Sequence, residues 1–468
     1  MAIELTWAQA LAWRMRRHHL HERAPRAAML DVVARIGGLH AQVMSSAELT
    51  LWARVADLER DAVSGALWGD RSLVKLWAMR GTLHLLPAAE LDTWLAALGT
   101  YDRYLKPAWL RNFDITREQL ETLIDAIGEA LDGELLTREE LGATVARNTG
   151  SPELEQKVQG SWGPYLKPAS FLGRLCFGPN DGQRVRFTRP DNWLGRDLDG
   201  ADPHAALREV TRRHLGAFGP AAREDLARWW GVQPAQGGRM LEALGDEVVA
   251  VDVEGTDGWM LRKHAAEAAA TEPVEVARLL PGFDMWTIGA ARDAAALLDP
   301  AEKKRVYRNQ GWISPVLLVD GRMEGVWRHE RKGRRLVVTL EPFGKLPKRA
   351  RVELEAEVER LAASWAAHWS SFGAQNPCYT EFVSNLTLTI DAELLRRARI
   401  RALEQGTSVN AVVREYLASY AGRPDQTAAR RRLLNLSDRT HAASRPGGRE
   451  WRRDDLYEER APMRQARE

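Results

Sequence analysis

Three times within the first 272 residues, segments with helical apolar spacing run into a pair of short extended segments joined by a turn. That recurrence limits what this chain can fold into more than any other feature. Residues 5–18 carry Leu5, Ala8, Leu11, Ala12 and Met15 at helical spacing, with Thr6 as a candidate N-cap. Further helices are expected over 27–36 and 45–55, the latter capped by Ser45 or Ser46 with Glu48 in its first turn. Residues 73–86 read as a helix end or a strand broken at Gly81. An alternating segment follows, in which Leu83 and Leu85 oppose Thr82, His84 and Leu86. The second pass has a helix over 116–131 and a Thr137/Glu140 capping box opening another. It closes with residues 171–177 and 184–188 as hairpin strands around a Gly-Pro-Asn-Asp-Gly turn. The third, 204–261, offers two helices and then strands over 247–253 and 259–261.

Helices followed by a short hairpin are the pattern of a winged helix. The chain is therefore expected to be α+β, with winged-helix repeats over 1–112, 113–200 and 201–272. A β-rich subdomain follows over 273–369, where Asp320-Gly321 between apolar runs is a hairpin turn and 335–340 a third strand. A helix over 348–368, with Val352, Leu354, Val358, Leu361 and Trp365 on its apolar side, closes that unit. Residues 370–384 lack periodicity and read as a linker. Residues 385–422 hold one alternating strand and two helices, and 423–468 have the polar composition of a disordered tail.

Composition narrows the functional classes. With 468 residues, 45% hydrophobic and 28% charged, the chain reads as soluble and folded, with room for several domains. A net charge of +2 gives no global basic excess, yet arginine far outnumbers lysine. That bias suits bidentate contacts to phosphates and guanine edges, and it also arises from a GC-rich genome. Two cysteines, Cys176 and Cys378, make neither a disulfide framework nor a zinc finger, which points to a reducing cytoplasm. No signal peptide or membrane span is visible, and no ligand cluster or phosphate-cradling loop implies a metal or cofactor.

The stretch Gly37-Gly38-Leu39-His40-Ala41-Gln42 is the candidate chemical motif. The glycine pair permits a sharp change of direction after a helix. If the next residues are extended, alternation sends His40 and Gln42 to one face and Leu39 and Ala41 to the other. An ordinary helix stop with both polar residues solvated is the alternative. Arg80 and His84 are candidates for phosphate or lesion contact, and Arg184 and Arg186, with Gln183 at the second hairpin tip, for phosphates. Trp312 and Trp327 are expected in the core.

Several ordered stretches carry a family likeness: Gly37 to Gln42 with Ser45-Ser46-Ala47-Glu48-Leu49, Arg80-Gly-Thr-Leu-His-Leu-Leu86, Pro168-Ala-Ser through Leu175-Cys-Phe-Gly-Pro179, Leu280-Pro-Gly-Phe-Asp284, and Gly311-Trp-Ile-Ser-Pro315. Through them, residues 3 to about 369 resemble the bacterial AlkZ-like family of winged-helix DNA glycosylases. The resemblance implies a concave surface for double-stranded DNA and a β-hairpin that probes the duplex. It also implies a catalytic pair, usually Gln, an apolar residue, then Gln or Asp, where this chain has His40-Ala41-Gln42. Histidine in place of the first glutamine is the departure. A purine alkylated on a ring nitrogen is already a good leaving group. The protein then chiefly needs to place water near C1′ and stabilise oxocarbenium-like charge. Gln42 would orient that water and neutral His40 would accept its proton, so base release is expected to fall below about pH 6–6.5.

The C-terminal part, with Asn385-Leu-Thr-Leu-Thr-Ile-Asp391 and Gly406-Thr-Ser-Val-Asn-Ala-Val-Val-Arg-Glu-Tyr-Leu, resembles ribbon-helix-helix antitoxins of the VapB type. The resemblance implies a homodimer pairing that strand, Thr387 and Thr389 facing the major groove, and a tail that binds a PIN-domain ribonuclease toxin. The function expected is a monofunctional DNA glycosylase for alkylated or bulky adducted purines, cytoplasmic and nucleoid-associated. The alternative is a non-catalytic DNA-binding regulator or antitoxin fusion.

Overall fold

In a computed structural model, the structure describes residues 3–366 except 60, 161, 162, 290, 293, 333 and 334, together with strand Cys378–Phe382 and positions 397, 398, 401, 409, 412, 413 and 416. Two compact units divide the chain, Met1–Asn385 and Leu386–Glu468. Thr387, Thr389, nearly all of the ribbon-helix-helix reading and the tail lie outside the described residues. No helix among the described residues is long and apolar enough to cross a membrane.

The first unit begins with strand β1 (Ile3–Leu5) and helix α1 (Trp7–Arg17). Thr6 caps α1 in a reciprocal box with Gln9, which satisfies two of the backbone donors that a helix start leaves open. Helix α2 (Met29–Arg35), strand β2 (Leu39–His40) and helix α3 (Met44–Trp52) follow. Neither Ser45 nor Ser46 caps α3, because the helix starts one residue earlier, behind Val43, which offers no side-chain cap. The stretch left open as helix end or strand is a hairpin, β3 (Leu73–Trp77) with β4 (Leu83–Pro87), turning through Arg80 and Gly81. Arg80 and Gly81 are both left-handed, at φ 60° and 72°.

The second set supplies the helix Arg117–Ala130, β5 (Leu136–Thr137), the Thr137/Glu140-capped helix Arg138–Thr149, β6 (Cys176–Phe177) and β7 (Arg186–Thr188). Its hairpin is shorter than the sequence suggests, since Phe171 belongs to the helix Lys167–Phe171. One six-stranded sheet, ordered β2-β4-β3-β6-β7-β5, joins both hairpins edge to edge through Lys75 opposite Phe177. The third set gives the helices Pro203–Phe218 and Arg223–Trp230 and the hairpin β8 (Val248–Val253) with β9 (Thr256–Leu261). There β1 adds in parallel to β8, so the N-terminus completes the third hairpin's sheet.

The last sheet runs β10 (Ala277–Leu280), β11 (Val316–Val319), β12 (Arg322–Lys332), β13 (Arg335–Pro342) and β14 (Cys378–Phe382). Asp320 and Gly321 turn β11 into β12 at φ 52° and 83°, the two left-handed residues that an Asp-Gly hairpin turn needs. Strand β14 lies in the stretch read as linker and pairs parallel to β13. The helix Lys348–Ala366 buries Leu354, Val358 and Leu361 but leaves Val352 at 58% exposure, so Val352 is not on its apolar side. Trp13, Trp94, Trp229 and Trp230 are among the largest fully enclosed side chains.

Candidate active site

Helix α2 stops at Ile36, and the Gly38 amide donates back to the Val33 carbonyl at 2.9 Å, a helix-terminating bond that needs left-handed backbone after the helix. Gly37 and Gly38 supply it at φ 76° and 90°. Their missing side chains matter too. A Cβ on Gly38 would meet Leu86 Cδ2 at 2.6 Å, and one on Gly37 would meet Trp229 Cζ2 at 3.0 Å. The pair therefore lays β2 directly on β4, with Leu39 opposite Leu85 and His40 opposite His84.

Alternation then sorts the motif. Leu39 and Ala41 are fully buried, while Gln42 is exposed on the other side. His40 departs from the solvated alternative, being only 5% exposed. The Ala41 amide donates to the Leu83 carbonyl at 2.7 Å, and the Leu83 amide approaches Gln42 Oε1 at 3.5 Å. The Gln42 carboxamide thus continues the ladder weakly and keeps acceptor capacity for another donor.

Two imidazoles meet across β2 and β4. The His40 and His84 rings sit edge to face, with centroids 5.4 Å apart. His84 Nδ1 lies 3.0 Å from the Thr82 carbonyl, which only accepts, so that nitrogen carries the proton and Nε2 is left as an acceptor. His84 Nε2 and His40 Nδ1 are both buried without a hydrogen-bond partner among the described residues. Other buried imidazole and indole nitrogens share this state, so what distinguishes the place is the pairing of two imidazoles beside an exposed carboxamide. Burial and the nearby Arg80 charge push the His40 pKa down to about 3 and that of His84 well below its usual value. His40 is therefore neutral from pH 5 to 8. This depressed pKa removes the ground for an inflection near pH 6–6.5; the burial of His40 and its closeness to Arg80 come from tertiary packing and are not visible in the sequence.

Distant segments complete the surroundings. Phe283 stacks on His40 with centroids 5.0 Å apart and planes 14° from parallel. Trp312 meets Phe283 edge-on at 5.0 Å and is 49% exposed. Trp312 is thus not a core residue, whereas Trp327 is buried and donates its indole N–H to the Leu280 carbonyl. Phe283 and Gln310 both adopt φ 59°, a left-handed backbone that costs a residue with a Cβ about 1–2 kcal/mol. Two contacts hold these loops. Arg54, just past α3, makes a bidentate pair with Asp284 at 2.7 and 2.8 Å, both side chains fully buried. Gly282 lets the two loops touch, since a Cβ there would meet the Ile313 carbonyl at 2.8 Å.

The other sequence candidates divide. Arg80 is half-buried beside the imidazoles; its Nη1 donates to the Trp229 carbonyl at 2.7 Å, and burial lowers its pKa to about 10. Arg184 and Arg186 lie at the second hairpin, where Arg184 pairs with Asp181 and Arg186 Nε donates to the Pro179 carbonyl at 2.9 Å. Three strands separate β2 from β7, or about 19 Å at about 4.8 Å per strand, so these arginines are not brought to His40. Sequence reasoning missed the roles of Phe283 and Trp312. Their motifs were visible, but nothing local said that Phe283 stacks on His40 or that Trp312 packs on Phe283.

A family model described as DNA glycosylase AlkZ-like matches residues 33–364. A curated relative from Streptomyces sahachiroi, an interstrand DNA cross-link repair glycosylase, is 39% identical over 361 residues, spanning 76% of this chain and 95% of the relative. The solved structure of the Streptomyces sahachiroi DNA glycosylase AlkZ aligns with a TM-score of 0.72 at 36% identity, covering 81% of this chain and 100% of that one. The family match ends at residue 364, before the second unit, and supports no ribbon-helix-helix module.

Proposed function

The chain belongs to the AlkZ-like DNA glycosylase family, and on that premise we propose that it hydrolyses the N-glycosidic bond of bulky or cross-linked alkylpurines in duplex DNA, with His40 and Gln42 as the catalytic pair. The observation that carries this is the cross-strand imidazole pair with two unsatisfied buried nitrogens, next to an exposed glutamine carboxamide. An N7-alkylated purine leaves as a neutral base and needs little acid catalysis. What remains is to hold a water at C1′ and tolerate positive charge on the sugar. Gln42 Oε1 accepts from that water and so aims its lone pair. A neutral imidazole adds a second acceptor and, unlike imidazolium, does not repel the developing cation. With a pKa near 3, His40 is a weak base in the free protein, so its part is chiefly to position the water and accept a hydrogen bond.

Trp312, exposed at the rim and backed by Phe283, suits stacking on an exposed base. The long β12–β13 hairpin, with Arg331 and Lys332 ending β12 and Arg335 opening β13, suits the duplex-probing element of the family. The three helix-and-hairpin sets read as winged helices lining the duplex, in a cytoplasmic, nucleoid-associated protein. Incubation with duplex carrying N7-alkylguanine, scored for abasic sites, tests the activity. Sites accumulating with time are expected; their absence overturns the reading. The sequence of residues 385–422 supports a dimeric ribbon-helix-helix in addition. A dimer of the full chain in solution is expected from it, and a monomer counts against it.

A further inference from the structure

Arg80 has a second neighbourhood besides the imidazoles. A cavity of about 270 Å³ is lined by Arg80, Arg103 and Lys167 together with Tyr104, Trp109 and Phe113. No carboxylate lines it. Arg103 and Lys167 form no ion pair among the described residues, unlike Arg196, which pairs with Asp92, and Arg212, which pairs with Glu247. A larger cavity of about 740 Å³ also holds charged groups, but there Arg189 pairs with Asp191 and nothing calls for an added ion.

We propose that the Arg80–Arg103–Lys167 cavity is a phosphate subsite that takes a phosphodiester of the DNA strand bearing the lesion. The inference rests on duplex DNA being the substrate. Its cations are held in place before any ligand arrives. The Arg103 guanidinium lies over the Tyr101 ring at 5.4 Å and the Phe171 ring at 5.8 Å. Gly81 makes room for it, because a Cβ there would meet Arg103 Nη2 at 2.5 Å. Arg80 Nη2 is buried with no partner, while its Nη1 is fixed on the Trp229 carbonyl. Burial, and after it the neighbouring Arg103 charge, lower the Lys167 pKa. A phosphate has the charge and the several acceptor oxygens that these donors lack. Trp109 and Phe113, with ring centroids 4.4 Å apart, give the sugar or a neighbouring base an apolar wall. Because Arg80 precedes His84 by four residues on the same hairpin, a phosphate fixed here would set the register of the strand at the imidazole pair.

The test uses the full chain, unmodified duplex and a salt series. For the wild type and for the variants Arg103→Gln and Lys167→Gln, log affinity is plotted against log salt. Each variant is expected to bind about tenfold or more weakly and to flatten the slope by about 0.9, the loss of one neutralised phosphate. Arg103→Lys, which keeps the charge, is expected to keep the slope and guards against a folding defect. Unchanged slopes in both Gln variants would overturn the proposal. So would millimolar inorganic phosphate or deoxyadenosine monophosphate raising the wild-type melting temperature, but not that of Arg103→Gln, with the duplex slopes unaltered, since the site would then serve free anions. Since no base need be released, a protein that shows the slope change yet makes no abasic sites would contradict the glycosylase reading and leave this site standing.

Discussion

At the scale of single residues, the proposed chemistry turns on His40 staying neutral. Its pKa is depressed, so protonation begins only as the pH approaches about 3, and single-turnover base release is expected to be flat between pH 5 and 8. A fall centred near pH 6.5 would show an imidazole with its ordinary pKa and contradict the buried geometry. Trp312 gives a separate prediction. Trp312→Ala should reduce kcat/KM on an alkylated duplex about tenfold or more, and Trp312→Phe should recover most of it, because a ring can still stack on a base. Equal losses for both would mean that stacking is not its role. Legibility differs between these residues for a physical reason. Gly37, Gly38, His40 and Gln42 are neighbours in the chain, so backbone freedom and strand alternation expose the motif directly. Phe283 reaches His40, and Trp312 reaches Phe283, only through tertiary packing, and an exposed tryptophan amid apolar neighbours looks like core until the fold is known.

At the scale of elements, local rules predicted what local forces decide. Thr6 with Gln9 and Thr137 with Glu140 form their capping boxes, and Asp320-Gly321 forms its turn, because each depends on a few adjacent residues. The joining of two hairpins into one sheet at Lys75 and Phe177, and the parallel docking of β1 on β8, link segments 102 and about 250 residues apart and leave no periodic trace. The contact between the 281–284 and 308–315 loops is equally non-local, and Arg54 anchors the first of them through Asp284. Removing one partner of a buried ion pair strands the other charge in a low-dielectric interior. Asp284→Asn is therefore expected to cost about 3–5 kcal/mol in denaturant unfolding. A loss below about 1 kcal/mol would show that the pair does not hold the loop beneath His40.

At the scale of the molecule, buried neutral histidines couple stability to pH. His40 and His214 are each held near a pKa of 3, and His18 and His84 are lowered as well. Their unfolded pKa is about 6.5, so below that pH the unfolded chain binds protons that the folded chain refuses. Stability should be level above pH 6.5 and decline as the pH falls, by about 2 kcal/mol per such imidazole at pH 5. Equal unfolding free energies at pH 7.5 and 5 would contradict it. The same enclosure that makes the molecule acid-sensitive keeps His40 unprotonated beside a cationic sugar, so fold and proposed chemistry rest on one arrangement. The most direct test of that arrangement is single-turnover release of N7-alkylguanine from duplex DNA by the wild type and by Gln42→Ala at pH 7.5. Release by the wild type, slowed about 100-fold or more in the variant, is expected from the loss of the water-orienting carbonyl; equal release by both, or none by the wild type, would contradict the account.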